Sequence, residues 1–196
     1  RIQLPIREKA GGMSNIGRLL SDFEEIRLPE MDRYGITRQV LATGSPGIQG
    51  LTDPCEAVWL AAYANDFLGE QIRRHPDRFS GLAALPLQDP PAAARELERS
   101  VLELGLSGAM VHGHTNGLYL DHPSVWCVWE RAAALNVPIY IHPTDPIPGQ
   151  WKIYEGYPEL LSAAWNWGIE TGTHALRVIF SGLFDEFPTA KLIVGH

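Results

Sequence analysis

Short apolar runs recur along the chain, each followed by a longer stretch whose apolar positions return at three- and four-residue spacing. The first pattern predicts buried strands and the second amphipathic helices. Strands are expected at Gln39–Thr43, Phe79–Pro86, Ser107–His112, Val137–Pro143 and Leu192–His196. Helices are expected from Ser14 to about Tyr34, Asp53 to Arg74, Pro90 to Leu104 and Pro123 to Leu135. A loop rich in Pro and Gly, Thr144–Tyr157, then leads to one long helix or two shorter ones divided near Gly182. Ser14 or Asn15 can cap the first helix, Pro29 is expected to break it in two, and Gly35 to end the second piece. Asp53 and Asp89 read as N-caps because a proline follows each at the first helical position. Residues 1–12 carry Pro5 and a Gly-Gly pair without a period, and read as loop.

Strand and helix alternate five times, the signature of parallel βαβ units with right-handed crossovers. No Gly-x-Gly-x-x-Gly follows a strand, so a dinucleotide fold lacks support. Two features favour a cut barrel over an open sheet. The last strand has no helix after it to cover Leu192, Ile193 and Val194, and polar residues gather at the carboxyl ends of strands. The expected fold is therefore α/β, a (β/α)8 barrel truncated to about five βα units. It forms one partial domain over residues 1–196, with the first and the C-terminal strands outside the chain.

Composition adds exclusions. The 196 residues are 45% apolar and 20% charged, ordinary for a globular domain. A net charge of −7 without a basic cluster argues against a nucleic-acid partner. No apolar run reaches the roughly 18 residues of a membrane span. Cys55 and Cys127 fall in helix-like segments and read as free thiols in a reducing, cytoplasmic setting. No secretory signal is legible in these residues, and because the chain opens on Arg1 without an initiator Met, a removed or missing N-terminus stays open.

The candidate chemistry lies at strand ends. His142 closes the run Val137–Pro143, and period-2 alternation puts it on one side with Tyr140 and Pro138. Alone it would read as a core histidine. A second apolar run, Lys191–His196, also ends on a histidine, and neighbouring strands would hold the pair about 5 Å apart. One divalent ion, or an ion and a water, could then touch both, although no carboxylate partner is visible nearby. His112 and His114 follow the third strand, as contacts for an anionic or phenolic substrate or as solvated loop residues. Ser45 in Gly44–Gly47 is no nucleophile elbow, but its strand-end position makes it a candidate substrate contact. Glu170, His174 and Arg177 share one helical face and read as an intrahelical polar network. His75 and His122 read as helix-boundary residues, and Trp126, Trp129, Trp165 and Trp167 as core packing or subunit contact.

Several segments in combination resemble a known family: Pro76–Phe79, Ala84–Pro90, His114–Asp121, Val137–Pro143, Glu170–Arg177, Ser181–Asp185 and Ile193–His196. From about Arg18 onward the chain resembles the amidohydrolase-related family of metal-dependent (β/α)8 barrels that contains aminocarboxymuconate-semialdehyde decarboxylase. Within it, the similarity is greatest to nonoxidative decarboxylases of hydroxy-aryl acids, such as γ-resorcylate and 5-carboxyvanillate decarboxylases. The resemblance implies that His142 is the metal ligand of the fifth barrel strand. It implies that His196 is the sixth-strand histidine beside the metal, acting as base or polariser. It places further ligands, a first-strand Glu or His-x-His and a late Asp, before Arg1 and after His196, together with a Met-Gly-Glu after the sixth-strand histidine. The implied cofactor is a divalent metal, zinc or manganese with magnesium as a further option. The implied partner is a small aromatic carboxylate, with neither nucleic acid nor membrane. The full-length protein is expected to be a homo-oligomer, dimer or tetramer. Two other functions stay open: a hydrolase of a lactone or amide on the same barrel, and an inactive fragment that binds metal weakly and exposes apolar edges.

Overall fold

The computed structural model describes residues 13–147 and 149–196, and the loop expected at residues 1–12 lies outside them. The chain divides into two units, residues 1–39 and 40–196. In the first, α1 (Met13–Ser21) and α2 (Arg27–Arg33) are separate helices. The break falls before Arg27 and not at the expected Pro29. Pro29 is the third residue of α2, where a missing N–H breaks no helical hydrogen bond. The chain turns instead at Asp22, whose carboxylate accepts from the backbone N–H of Ile26 at 2.7 Å and of Arg27 at 3.3 Å. Gly35 ends α2 as expected, with φ +67°.

The second unit is built from strands β1 (Gln39–Leu41, beginning at the unit boundary), β2 (Phe79–Gly81), β3 (Ala83–Ala84), β4 (Ala109–His112), β5 (Pro138–His142) and β6 (Lys191–Val194). Helices α3 (Pro54–Arg74), α4 (Pro90–Leu102), α5 (Trp126–Ala134), α6 (Asn166–Phe180) and α7 (Leu183–Glu186) alternate with them. The expected strand Phe79–Pro86 is interrupted at Leu82, where the backbone changes partner. Leu82 N–H bonds the Leu41 carbonyl at 2.9 Å, and Ala83 N–H bonds that of Gly108 at 2.8 Å. β1 pairs with β2, and β3, β4, β5 and β6 form one sheet in that order, each adjacent pair parallel. A strand order without reversal is that of a barrel wall; a doubly wound sheet would reverse at a switch point.

Capping follows the sequence closely. The Asp53 carboxylate accepts from Cys55 N–H at 2.8 Å, and that of Asp89 from Ala92 N–H at 3.0 Å. The exception lies after β5. Residues 150–154 and 158–161 form two 3-10 turns, and α6 begins only at Asn166. The division at Gly182 holds, with φ +81°. Along β5, Ile139 and Ile141 are fully buried while Pro138, Tyr140 and His142 are half-buried, so the strand has two unlike faces. Ile193 and Val194 on β6 remain 43% and 49% exposed. Cys55 and Cys127 are free. Among the described residues no helix is long and apolar enough to cross a membrane.

Candidate functional site

Parallel pairing puts the ends of β4, β5 and β6 side by side. His112 and His142 are register partners, and their rings lie 4.9 Å apart between centroids. His196 follows β6 with φ +65°, and its ring is 4.7 Å from that of His142. Three imidazoles from three strands thus form a row. They differ in what their nitrogens touch.

His112 is 1% exposed. Its Nε2 lies 3.0 Å from the Thr43 carbonyl, which only accepts, so Nε2 carries the proton. Nδ1 is left as a buried lone pair with no partner among the described residues. The Oε1 of Gln49 accepts from His112 N–H at 3.3 Å, and the same amide donates to the Leu85 carbonyl at 2.8 Å. Gly47, at φ +56°, lies against the ring; a Cβ there would meet His112 Cδ2 at 2.8 Å. Burial first, then the neighbouring His142, pushes the His112 pKa down to about 4, against the opposing pull of the Thr43 carbonyl.

His142 is more open. Its Nδ1 donates to the Pro143 carbonyl at 2.7 Å, which fixes the tautomer and turns the Nε2 lone pair outward. That Nε2 stands 3.1 Å from Nε2 of His196, which is exposed. Burial lowers the His142 pKa, the Pro143 carbonyl opposes this, and His196 adds to it. A neutral imidazole with Nδ1 spent on a carbonyl is the form a divalent metal takes as ligand. Two nitrogens 3.1 Å apart can both lie about 2.1 Å from one ion. The residues present therefore fit as nitrogen donors of a metal shell. Among the described residues no group of three or more His, Cys, Asp or Glu is arranged to complete one.

Trp167, expected to be packing or a subunit contact, closes this row. Its ring lies 4.8 Å from His196 and 5.8 Å from His142. The signal that could have found it is position. The first turn of a helix that follows a strand lies at the strand's carboxyl end, where barrel sites are built. His114 and Ser45 stand apart from the row. His114 Nδ1 accepts from Gly117 N–H at 3.3 Å, and backbone carbonyls of Asp145 and Pro146 accept from its ring; burial lowers its pKa. It shares with His112, Gln49 and Thr144 the lining of a cavity of about 200 Å³. Ser45 is exposed, and its neighbour Pro46 lines that cavity.

The trio on α6 is not the intrahelical network its spacing suggested. Glu170 Oε1 accepts from the Tyr119 hydroxyl at 2.8 Å, His174 Nε2 from Leu120 N–H at 2.9 Å, and Arg177 pairs with Asp121 at 2.8 Å. All three reach across to residues 119–121. Burial raises the Glu170 pKa against the Tyr119 hydrogen bond, and drives that of His174 down to about 3.

This row of imidazoles lies at the carboxyl ends of parallel strands, where barrel folds build their sites. The amidohydrolase family model matches residues 16–196, and the chain belongs to that family. Its relatives narrow the likeness. It is 46% identical over 183 residues to gamma-resorcylate decarboxylase of Polaromonas sp. strain JS666, covering 90% of this chain and 56% of that protein. A crystal structure of dihydroxybenzoic acid decarboxylase from the same organism, with bound manganese and the inhibitor 2-nitroresorcinol, superposes with TM-score 0.86 at 46% identity. The match covers 89% of this chain and 55% of that one. The 5-carboxyvanillate decarboxylase of Sphingomonas paucimobilis matches with TM-score 0.88 at 41% identity, over 95% of this chain and 54% of that one. The chain thus spans a little over half the length of these relatives, with the fold of their (β/α)8 barrels.

Proposed function

We propose that this protein is a metal-dependent, nonoxidative decarboxylase of a hydroxylated aromatic carboxylic acid. His142 is the metal ligand and His196 the polarising base beside it. The observation that carries the reading is the pair itself: Nε2 of His142 with its tautomer set by Pro143, facing Nε2 of His196 at 3.1 Å. Identity of 46% to a gamma-resorcylate decarboxylase supports it. A divalent ion, manganese as in the relative's structure and with zinc or magnesium as alternatives, supplies positive charge that binds and orients the carboxylate and a neighbouring hydroxyl.

The chain's own residues do the rest. His196 accepts the hydrogen bond of the ring hydroxyl, which raises electron density at the ring carbon bearing the carboxylate. A protonated acid of the intact protein gives its proton to that carbon, the carbon's bond to the carboxylate breaks, the bonding pair returns to the ring and CO2 leaves. Trp167, 4.8 Å from His196 and 5.8 Å from His142, gives the aromatic ring a flat wall. His112, His114 and Ser45, at the β4 and β1 ends, are the substrate contacts. The working protein is a cytoplasmic homo-oligomer, dimer or tetramer, without nucleic-acid or membrane partners.

The test is incubation of the manganese-loaded intact protein with a panel of hydroxybenzoates while CO2 is followed. Release from at least one member is expected. Silence across the panel with metal bound would overturn the reading. Solvent ¹⁸O entering the product of a lactone or amide would put hydrolysis in its place.

A further inference from the structure

Asn166 opens α6 and is 1% exposed. An apolar side chain would fill such a place without a polar group to satisfy, so a buried amide there is explained by the bonds it makes. Its Nδ2 donates to the Thr144 carbonyl at 3.3 Å, and its Oδ1 accepts from the Tyr154 hydroxyl at 2.9 Å. A carbonyl only accepts, which sets the end of the amide that faces Thr144. Tyr154, buried as well, closes the 3-10 turn of residues 150–154. One side chain thus joins three places: the exit of β5, the connection that follows it and the first turn of α6.

Both backbone neighbours of this link stand at the candidate site. Trp167 is the next residue after Asn166, and its ring lies beside those of His196 and His142. Thr144 follows Pro143, whose carbonyl accepts from His142 Nδ1 at 2.7 Å. That carbonyl belongs to the planar peptide between residues 143 and 144, so a turn of Thr144 swings it. On the side of β4, Thr144 packs on Gly113, at φ +55°, where a Cβ would run into the Thr144 side chain. Gly113 N–H also bonds the His142 carbonyl at 2.8 Å. Thr144 is therefore held between the exit of β4 and the Asn166 amide.

We propose that Asn166 is a positioning residue for the candidate metal site, with the Tyr154 hydroxyl holding its amide. It keeps the Pro143 carbonyl on His142 Nδ1 and seats Trp167 against the imidazole pair. The inference rests on the reading of His142 as metal ligand and extends it to two residues outside the row.

The test measures two things in the intact protein, neither of them decarboxylation. Manganese affinity is followed by electron paramagnetic resonance of the free ion. The seat of Trp167 is followed in metal-free protein by the ¹⁹F resonance of 5-fluorotryptophan, assigned with Trp167→Phe. Asn166→Asp keeps an acceptor for Tyr154 but puts an acceptor where the Thr144 carbonyl needs a donor. It should weaken manganese about tenfold, as loss of an outer partner of a metal ligand does, and move the Trp167 resonance. Tyr154→Phe removes only the hydroxyl and should shift both readouts the same way by less; it decides the matter by itself if Asn166→Asp does not fold. A purely structural role would lower the melting temperature of the folded variants and leave manganese affinity or the Trp167 resonance where it was. Either unchanged readout would overturn the proposal. Absence of manganese binding by the unsubstituted protein would instead overturn the metal reading on which it rests.

Discussion

Two histidine-bearing regions of the same unit have opposite characters. At α6, His174 is 0% exposed, its Nε2 is used by Leu120 N–H, and Glu170 and Arg177 beside it are paired with Tyr119 and Asp121. At the strand ends, His142 spends only Nδ1, on Pro143, and turns its other nitrogen toward His196 and open space. Both imidazoles are held neutral, the first by burial that drives its pKa to about 3, the second by milder burial. Neutrality alone therefore does not mark a reactive group. What separates them is whether the second-row partner leaves a lone pair accessible. The closed cluster fastens residues 119–121 to α6; the open pair has a lone pair to offer.

That contrast can be broken most sharply at His142. His142→Ala should lower decarboxylation by about 10²-fold or more through loss of metal affinity while leaving the melting temperature nearly unchanged, since the side chain is half-buried. A large fall in melting temperature would place His142 with the structural histidines. In the closed cluster the effects should reverse. Glu170→Ala strands the buried Tyr119 hydroxyl and should cost about 1–3 kcal/mol in denaturant unfolding, with Glu170→Gln recovering most of it; equal behaviour of the two variants would contradict this.

The pH dependence sharpens the same distinction. A histidine with a folded pKa of about 3, against 6.5 as the ordinary value, adds stability that is fully present above about 6.5. That stability is lost as pH falls toward 3, because the unfolded chain binds the proton first. The slope is about 1.4 kcal/mol per pH unit below that point. His174→Gln keeps an acceptor for Leu120 N–H but cannot titrate, so its unfolding free energy should fall less steeply with acid; parallel curves would refute the assignment. Least affected should be Arg177→Ala. The Arg177–Asp121 pair is half exposed on the arginine side, and such pairs contribute up to about 1 kcal/mol. A larger loss in a thermal melt would mean that the guanidinium, 5.1 Å over the Tyr119 ring, does more than pair.

How much of this was legible in the sequence depends on distance along the chain. The strand-end row could be read because an apolar run that stops on a histidine is a local pattern, and adjacent parallel strands align such stops. The caps at Asp53 and Asp89 were local too. The partners of Glu170 and His174 were not, because they lie 51 and 54 residues away, and helical spacing shows only that the three share a face. Pro29 misled because proline punctuates helices, yet in a first turn it costs nothing. Trp167 stayed hidden for a related reason: the start of α6 has no side-chain cap to betray it, so the residue could not be placed at the strand ends.

The central claim is that His142 Nε2 is a metal donor whose tautomer Pro143 fixes. A crystal of the intact protein grown with manganese and measured at the manganese absorption edge tests it most directly. The account predicts an anomalous peak about 2.1–2.2 Å from His142 Nε2, with Nδ1 still donating to the Pro143 carbonyl and His196 beside the ion. A peak elsewhere, with His142 and His196 still hydrogen-bonded to each other, would contradict it.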